Sequence, residues 1–254
     1  MSTKSITGRR GLSVRERRQR NREEMRAGIL ALAREIMREQ GVAALSLNEI
    51  ARRVGITPPA LYTYFPSKMA IYDALYRTGI RLFREGEEEL RRTTAPDWER
   101  IHSWFGQRLA LAEEHPDLYH LVFDAPIPGF VPTPESLEEV RRLYDATVCG
   151  IAEVIEAGAM RPNLPPEQAT DLLLAMRLGI VAAHVGKHRP LPPPERVARL
   201  VPEIVAILRA AWEPTDNGSR QDGASEGRTI PIRSVRGDHE GGAPAERGTH
   251  HRHG

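Results

Sequence analysis

The chain reads as all-α, and two observations carry that reading. No segment with the strict apolar/polar alternation of a half-buried strand occurs before residue 212, whereas apolar residues recur at helical intervals through most of that span. Helix starts also recur in one form, a capping hydroxyl followed by proline at the first helical position, at Thr57-Pro58 and Thr133-Pro134.

With 254 residues, 40% of them hydrophobic, the chain can hold one small and one medium domain or a single large one. Cys149 is the only cysteine, which excludes an intrachain disulfide and points to a reducing compartment. The early basic residues are not followed by an apolar run, and stretches such as Ile180 to Val185 are far too short to cross a bilayer. A soluble, cytoplasmic protein without a membrane partner is therefore expected. The net charge of +2 conceals an asymmetry: residues 1–69 hold fourteen Lys and Arg against six Glu, a surplus of eight, which leaves −6 for the remainder. A basic first third on an acidic body directs that third towards a polyanion.

Residues 1–20 are rich in Ser, Gly and Arg without periodicity and read as a disordered basic arm. Such an arm either lies in a DNA minor groove or merely solubilises the chain. Asn21 to Gln40 follows as the first helix, with Met25, Ile29, Leu32, Ala33 and Ile36 on one face and Gly41 at its end. Next comes LSLNEIARRVGITPPALYTYFPSK, Leu45 to Lys68. Ser46, three residues before Glu49, predicts a reciprocal capping box. Leu47, Ile50, Ala51 and Val54 form one stripe, and Gly55 supplies a left-handed end. Thr57 and Pro58 then start a second short helix reaching Phe65, in which Leu61 and Phe65 are the strongly apolar positions. Pro58, Pro59, Ala60, Tyr62, Thr63 and Tyr64 face outward or sideways, and outward tyrosines on so short a helix are not explained by folding alone. Ser67 caps the following helix, and Lys68 in its first turn suits a phosphate. The pair reads as a helix-turn-helix for double-stranded DNA.

On these residues, the stretch from about Met25 to Tyr72 resembles the N-terminal domain of TetR-family transcriptional repressors. The resemblance rests on the pattern formed by Gly55, Leu61, Tyr62, Phe65 and Lys68. Tyr64 stands where the family most often has histidine, and Pro58-Pro59 removes two backbone donors, so base reading must lean on side chains. The expected DNA contacts are phosphates held by Ser46, Thr57, Tyr62, Thr63, Tyr64 and Lys68, with Asn48 alongside. Pro58, Pro59 and Ala60 would sit nearest the base edges and thymine methyls.

The long helix from Lys68 to about Thr94 takes apolar contacts from Ile71, Leu75, Ile80, Leu82 and Phe83, with its charged second half expected in solvent. The resemblance makes it the link between head and regulatory body. Asp97 caps a helix from Trp98 to Glu114, His115-Pro116 punctuates, and Asp117 to Phe123 forms a short helix. Residues 125–134 are too proline-rich for a helix and read as a loop. Further helices run from Pro134 to about Met160, from Glu167 to His188 and from Glu195 to Trp212. The last two are unusually apolar, through Leu172, Leu173, Met176, Ile180 and Ala183 in one and Val197, Leu200, Val201, Ile204, Val205 and Leu208 in the other. With Gly179 and Ala183 permitting close approach, they predict a two-fold homodimer joined by four helices. The composition of residues 213–254 lacks large apolar residues and predicts a disordered tail in which His250, His251 and His253 are solvated. The domains expected are thus an arm over 1–20, a helix-turn-helix head over 21–67, a helical regulatory and dimerisation body over 68–212, and a tail over 213–254.

Nothing in the sequence argues for catalysis, a cofactor or a metal. His184 and His188 have the spacing of a zinc pair, but Val185 occupies the place of the catalytic glutamate and no third ligand is apparent. Cys149 reads as inert packing within an apolar helix. The resemblance implies an effector pocket, and Trp104, Arg108, Tyr119, Phe123, Tyr144 and Met176 have a composition suited to one. The function expected is a ligand-responsive, sequence-specific transcriptional regulator, a repressor bound as a dimer to a pseudo-palindromic DNA operator. Its rivals are a sequence-indifferent nucleic-acid binder and a small-molecule-binding helical protein with a vestigial head.

Overall fold

Ser13 starts the first helix in this computed structural model, which describes residues 13–124, 127–185, 196–197 and 199–214. Its Oγ accepts from the Glu16 amide at 3.2 Å while Glu16 accepts from the Ser13 amide at 2.7 Å, a reciprocal cap that launches α1, Val14–Gln40. The arm expected over residues 1–20 is therefore helical from residue 14 onwards. A capping box and a run of arginine, glutamine and glutamate have enough helix propensity to extend a helix that packs only further along. The rest of that arm and all but the first two residues of the expected tail lie outside the described residues, as do His188 and the three C-terminal histidines.

A single 3₁₀ turn at Val42–Ala44 leads into α2, Leu47–Val54, and then α3, Pro58–Tyr62. The second helix of the pair is shorter than expected, because Thr63 and Tyr64 already turn towards Phe65. The remaining helices are α4, Lys68–Thr93, α5, Trp98–Glu114, α6, Pro116–Phe123, α7, Pro134–Glu156, α8, Pro166–Val185, and α9, Val201–Trp212. Among the described residues there is no strand, so the class is all-α as predicted. The last helix begins at Val201, after a turn at residues 199–200, with Pro202 in its first turn.

Two apolar clusters organise these helices. Ile29, Ala33 and Ile36 of α1 meet Ile50 and Ala51 of α2, Leu61 of α3 and Ile71, Tyr72 and Leu75 of α4. Phe83, Leu90, Trp104, Phe105, Tyr119, Leu173, Val181 and Val205 belong to the second. α4 runs through both, and α6 is the seam. Leu118 and Leu121 pack into the first cluster and Tyr119 into the second. Gly79 permits the close crossing of α4 and α6, since a β-carbon there would stand 2.9 Å from Val122 Cγ2. Asp73 of α4 anchors the start of α7 by accepting from the Thr133 amide at 2.9 Å and Ser136 Oγ at 2.8 Å.

Two expectations fail on burial. The second half of α4 is not wholly exposed, because Glu87 is buried. Cys149 is exposed on α7 rather than packed, the inward positions there being Ala146, Thr147 and Ile151.

Asp117 holds α6 to α1. Its buried carboxylate accepts from Arg34 Nε at 2.7 Å and Arg38 Nε at 3.0 Å. Burial alone would raise its pKa, yet the two guanidiniums hold it below the ordinary aspartate range. A depressed carboxylate stabilises the fold above its unfolded pKa and loses that contribution as pH falls through the folded one. Asp117→Asn is expected to lower unfolding stability by about 2 kcal/mol at neutral pH, for a part-buried charged pair. In urea melts the deficit should shrink below about pH 4, and a deficit independent of pH would remove the carboxylate from that role.

Candidate nucleic-acid interface

α2 begins at Ser46, whose Oγ accepts from the Glu49 amide at 3.5 Å. The reciprocal half of the expected box is missing because Glu49 is taken elsewhere. Its carboxylate receives Arg52 at 2.7 Å and Arg53 at 2.7 Å, and those hydrogen bonds pull its pKa down to about 2. Arg53 also reaches Glu39 at 2.8 Å, tying α2 to α1. Gly55 ends α2 at φ +79°, a left-handed conformation that disfavours a side chain. Ile56 then donates to Ala51 O at 3.0 Å, and the chain turns into Thr57.

Thr57 Oγ1 accepts from the Ala60 amide at 3.4 Å, and the two prolines occupy positions where an amide would have no intrahelical partner. Leu61 and Phe65, at 0% and 1% exposure, pin α3 onto the head core. Tyr62, by contrast, is 52% exposed, and Thr57, Pro58, Pro59 and Thr63 are exposed with it. Ser46 and Asn48 are also exposed, at the start of α2, while Ala60, Tyr64 and Lys68 are half-buried. All ten residues expected to meet DNA therefore lie in α2 and α3 with their caps, in the turn after α3 or at the first position of α4, without any of them fully buried. Thr63 spends its hydroxyl proton on Ala60 O at 2.7 Å, and the Lys68 ammonium sits 5.5 Å from the centre of the Tyr72 ring. Ser67 Oγ accepts from the Ala70 amide at 3.1 Å, as its capping position predicts.

Sequence reasoning missed what holds the end of α3. Arg22 donates to Thr63 O at 2.9 Å, Arg26 donates to Tyr64 O, and Arg26 lies over the Phe65 ring at 4.1 Å. Carbonyls at a helix C-terminus attract cations, and two arginines four apart on α1 carry the spacing to supply them. Arg15, Arg18 and Arg22 of the same helix, with Thr63 and Tyr64, line an open concavity beside α3.

In the body, four of the six residues expected around a ligand come together. Trp104 Nε1 donates to Glu87 Oε2 at 2.6 Å and Arg108 to Glu87 Oε1 at 2.8 Å. Tyr119 and Phe123, with ring centres 5.1 Å apart, adjoin them through Phe83, over whose ring Arg108 lies at 4.5 Å. Met176 is half-buried against the same core. Tyr144 does not join them: it is exposed and donates to Asp171 at 2.9 Å, because its position on α7 faces outward. Reasoning from sequence also missed Glu87 and Arg177, which meet at 2.7 Å. A lone arginine in the apolar run of α8 was the available signal for one of them, whereas Glu87 is hidden in a glutamate-rich stretch. A cavity of about 10 Å³, the space of one water molecule, adjoins Glu87 and Trp104 and is otherwise lined by Arg91, Arg100, Ile101 and Thr147 among others. His184, of the pair at zinc spacing, contacts Glu113.

Residues 29–75 match the family model described as bacterial regulatory proteins, tetR family. The chain is 26% identical over 134 residues to the HTH-type transcriptional activator FasR of Mycolicibacterium smegmatis, covering 53% of this chain and 60% of that protein. It is 27% identical over 143 residues to the HTH-type transcriptional regulator Rv1816 of Mycobacterium tuberculosis, covering 52% and 59%. The chain thus spans about three-fifths of the length of these curated relatives. Among solved structures, the regulatory protein SCO4313 shares the fold with a TM-score of 0.62 at 23% identity, covering 76% of this chain and 98% of that one.

Because Leu61 and Tyr62 are neighbours with opposite environments, their alanine variants separate packing from recognition. Leu61→Ala is expected to cost about 3 kcal/mol of stability through the cavity it leaves. Tyr62→Ala should stay within about 0.5 kcal/mol of the parent in the same denaturant melts. Equal losses from the two variants would contradict this division of roles.

Proposed function

We propose that this chain, whose residues 29–75 match the tetR family of bacterial regulatory proteins, is a regulator of that family and works as a ligand-responsive, sequence-specific transcriptional regulator, a repressor that binds a pseudo-palindromic operator as a homodimer. The observation that supports this best is the pairing of Leu61 and Phe65, buried, with an exposed rim of Thr57, Pro58, Pro59, Tyr62 and Thr63. A short helix pinned by Leu61 within it and Phe65 just after it offers Pro58, Pro59 and Tyr62 to a groove. Ser46, Asn48, Tyr64 and Lys68 flank that rim and take phosphates, which fix register without reading sequence. Arg15 and Arg18 extend the basic track as part of a helix rather than as a flexible strand in the minor groove.

The outward faces of the last helices support dimerisation. Leu172 and Leu178 of α8, Leu200, and Ile207 of α9 are exposed, and Gly179 has open space around it. Two copies related by a two-fold axis cover these faces and present two heads to successive half-sites. Effector binding in the body between α4, α5, α6 and α8 then shifts head spacing, with a coupling of about 1–3 kcal/mol.

Selection of bound duplexes from a random library by the full chain is expected to return a palindromic consensus, and Tyr62→Ala to weaken binding to that consensus at least about tenfold, the loss of one good contact. Recovery of unrelated sequences, or unchanged affinity in the variant, contradicts the proposal. Arg15→Ala with Arg18→Ala is expected to flatten the slope of log affinity against log salt by about 2 for two lost phosphate contacts. An unchanged slope would remove the first turns of α1 from the interface.

A further inference from the structure

Two guanidiniums and one carboxylate share the centre of the body. Arg108 and Arg177 are each only 4% exposed, and both donate to the same oxygen, Glu87 Oε1, at 2.8 and 2.7 Å. They therefore lie side by side, carrying two positive charges against one negative. Arg177 is stacked 3.5 Å from the centre of the Trp104 ring, and Glu87 Oε2 is occupied by Trp104 Nε1. Tyr119 sits close enough to feel both cations, but burial pushes its own pKa up to about 12, so it supplies no second negative charge. Arg108 Nη1 and Arg177 Nε are buried without a hydrogen-bond partner.

Such an arrangement is not what packing alone selects. An uncompensated buried cation is destabilising, and orphaned donors add to it, whereas apolar residues of similar volume fill the same space without that cost. Burial correspondingly pushes both arginines' pKa values down, with Glu87 the main group pushing back and Tyr119 a lesser one. The surroundings are aromatic: Phe83, Phe123 and Trp104 offer faces to the two cations and apolar surface to anything beside them. Half-buried Phe123 has its ring centre 5.6 Å from the Arg108 guanidinium, and half-buried Met176 precedes Arg177 on α8; a methionine yields readily.

We infer that the effector of this regulator is a monocarboxylate with an apolar body, its carboxylate held between Arg108 and Arg177 beside Glu87. One added negative charge makes the cluster neutral, and two acceptor oxygens match the two donors left unpaired. The inference deepens the regulator reading and rests on it for its biological meaning. The cluster's charge imbalance stands apart from that reading.

The test uses the full chain with straight-chain monocarboxylates from acetate to palmitate and the matching primary alcohols, read by thermal shift and titration calorimetry. At least one longer carboxylate should raise Tm while its alcohol and an equal concentration of chloride do not. Arg177→Met and Arg108→Met each leave a neutral pair with Glu87, so both should fold, and both should bind that carboxylate at least about tenfold more weakly, the loss of a charged hydrogen bond. Glu87→Gln, which leaves two cations unneutralised, should have a lower Tm alone and the largest rise with the carboxylate. The inference is overturned if carboxylates and alcohols act alike, if chloride produces the same shift, or if the arginine variants bind unchanged. Measuring wild-type binding to the selected operator in parallel distinguishes the two failures. Retained operator binding without a carboxylate response sinks the effector class alone, and absent operator binding sinks the regulator reading.

Discussion

A single uninterrupted helix determines how the rest of the molecule is arranged. α4 starts at the Ser67 cap, gives Ile71, Tyr72 and Leu75 to the core that carries α3, and gives Ile80, Phe83 and Leu90 to the core of the body. An α-helix rises about 1.5 Å per residue, so Lys68 at the head end and Glu87 at the buried charge cluster lie about 28 Å apart on one rod. Whatever displaces Glu87 acts on the same rod that carries the head. α6 braces it from the side, through the Gly79 crossing and through the Asp117 contacts to Arg34 and Arg38. The head is thus held at two points, and movement of one requires the other to give.

The two functional regions use burial in opposite ways. In the head, burial is apolar and strict, and its purpose is to immobilise a very short helix. Five residues cannot hold a helical shape in water, since nucleation is unfavourable and few hydrogen bonds follow. Leu61 and Phe65 from within, and Arg22 and Arg26 on the terminal carbonyls, supply what propensity does not. In the body, burial is charged and unbalanced, and the packing around Glu87, Arg108 and Arg177 sacrifices stability that a wholly apolar core would keep.

The head was legible from sequence because its signals are local. Capping residues, the glycine at the turn, and an apolar pair four apart all act within a few positions, so their spacing carries their meaning. The first turns of α1 misled because they have no buried face to mark them, and a reciprocal cap at Ser13 and Glu16 is the feature that reveals the helix. The body's charge cluster joins residues on α4, α5 and α8 across gaps of 21 and 90 positions. No periodicity encodes that meeting. Trp104, Arg108, Tyr119 and Phe123 share a chemical type suited to a pocket and do converge, whereas Tyr144 is of the same type and lies outside. Chemical type without a known facing direction separates such residues poorly.

The central claim is that two copies of α3 enter one duplex together, presented by a symmetric pair of α4 rods. Hydroxyl-radical footprinting of the selected duplex tests this most directly. The account predicts two protected patches on one face of the DNA, related by a dyad and separated by a whole number of helical turns. A single patch, or protection spread evenly along the duplex, would contradict it.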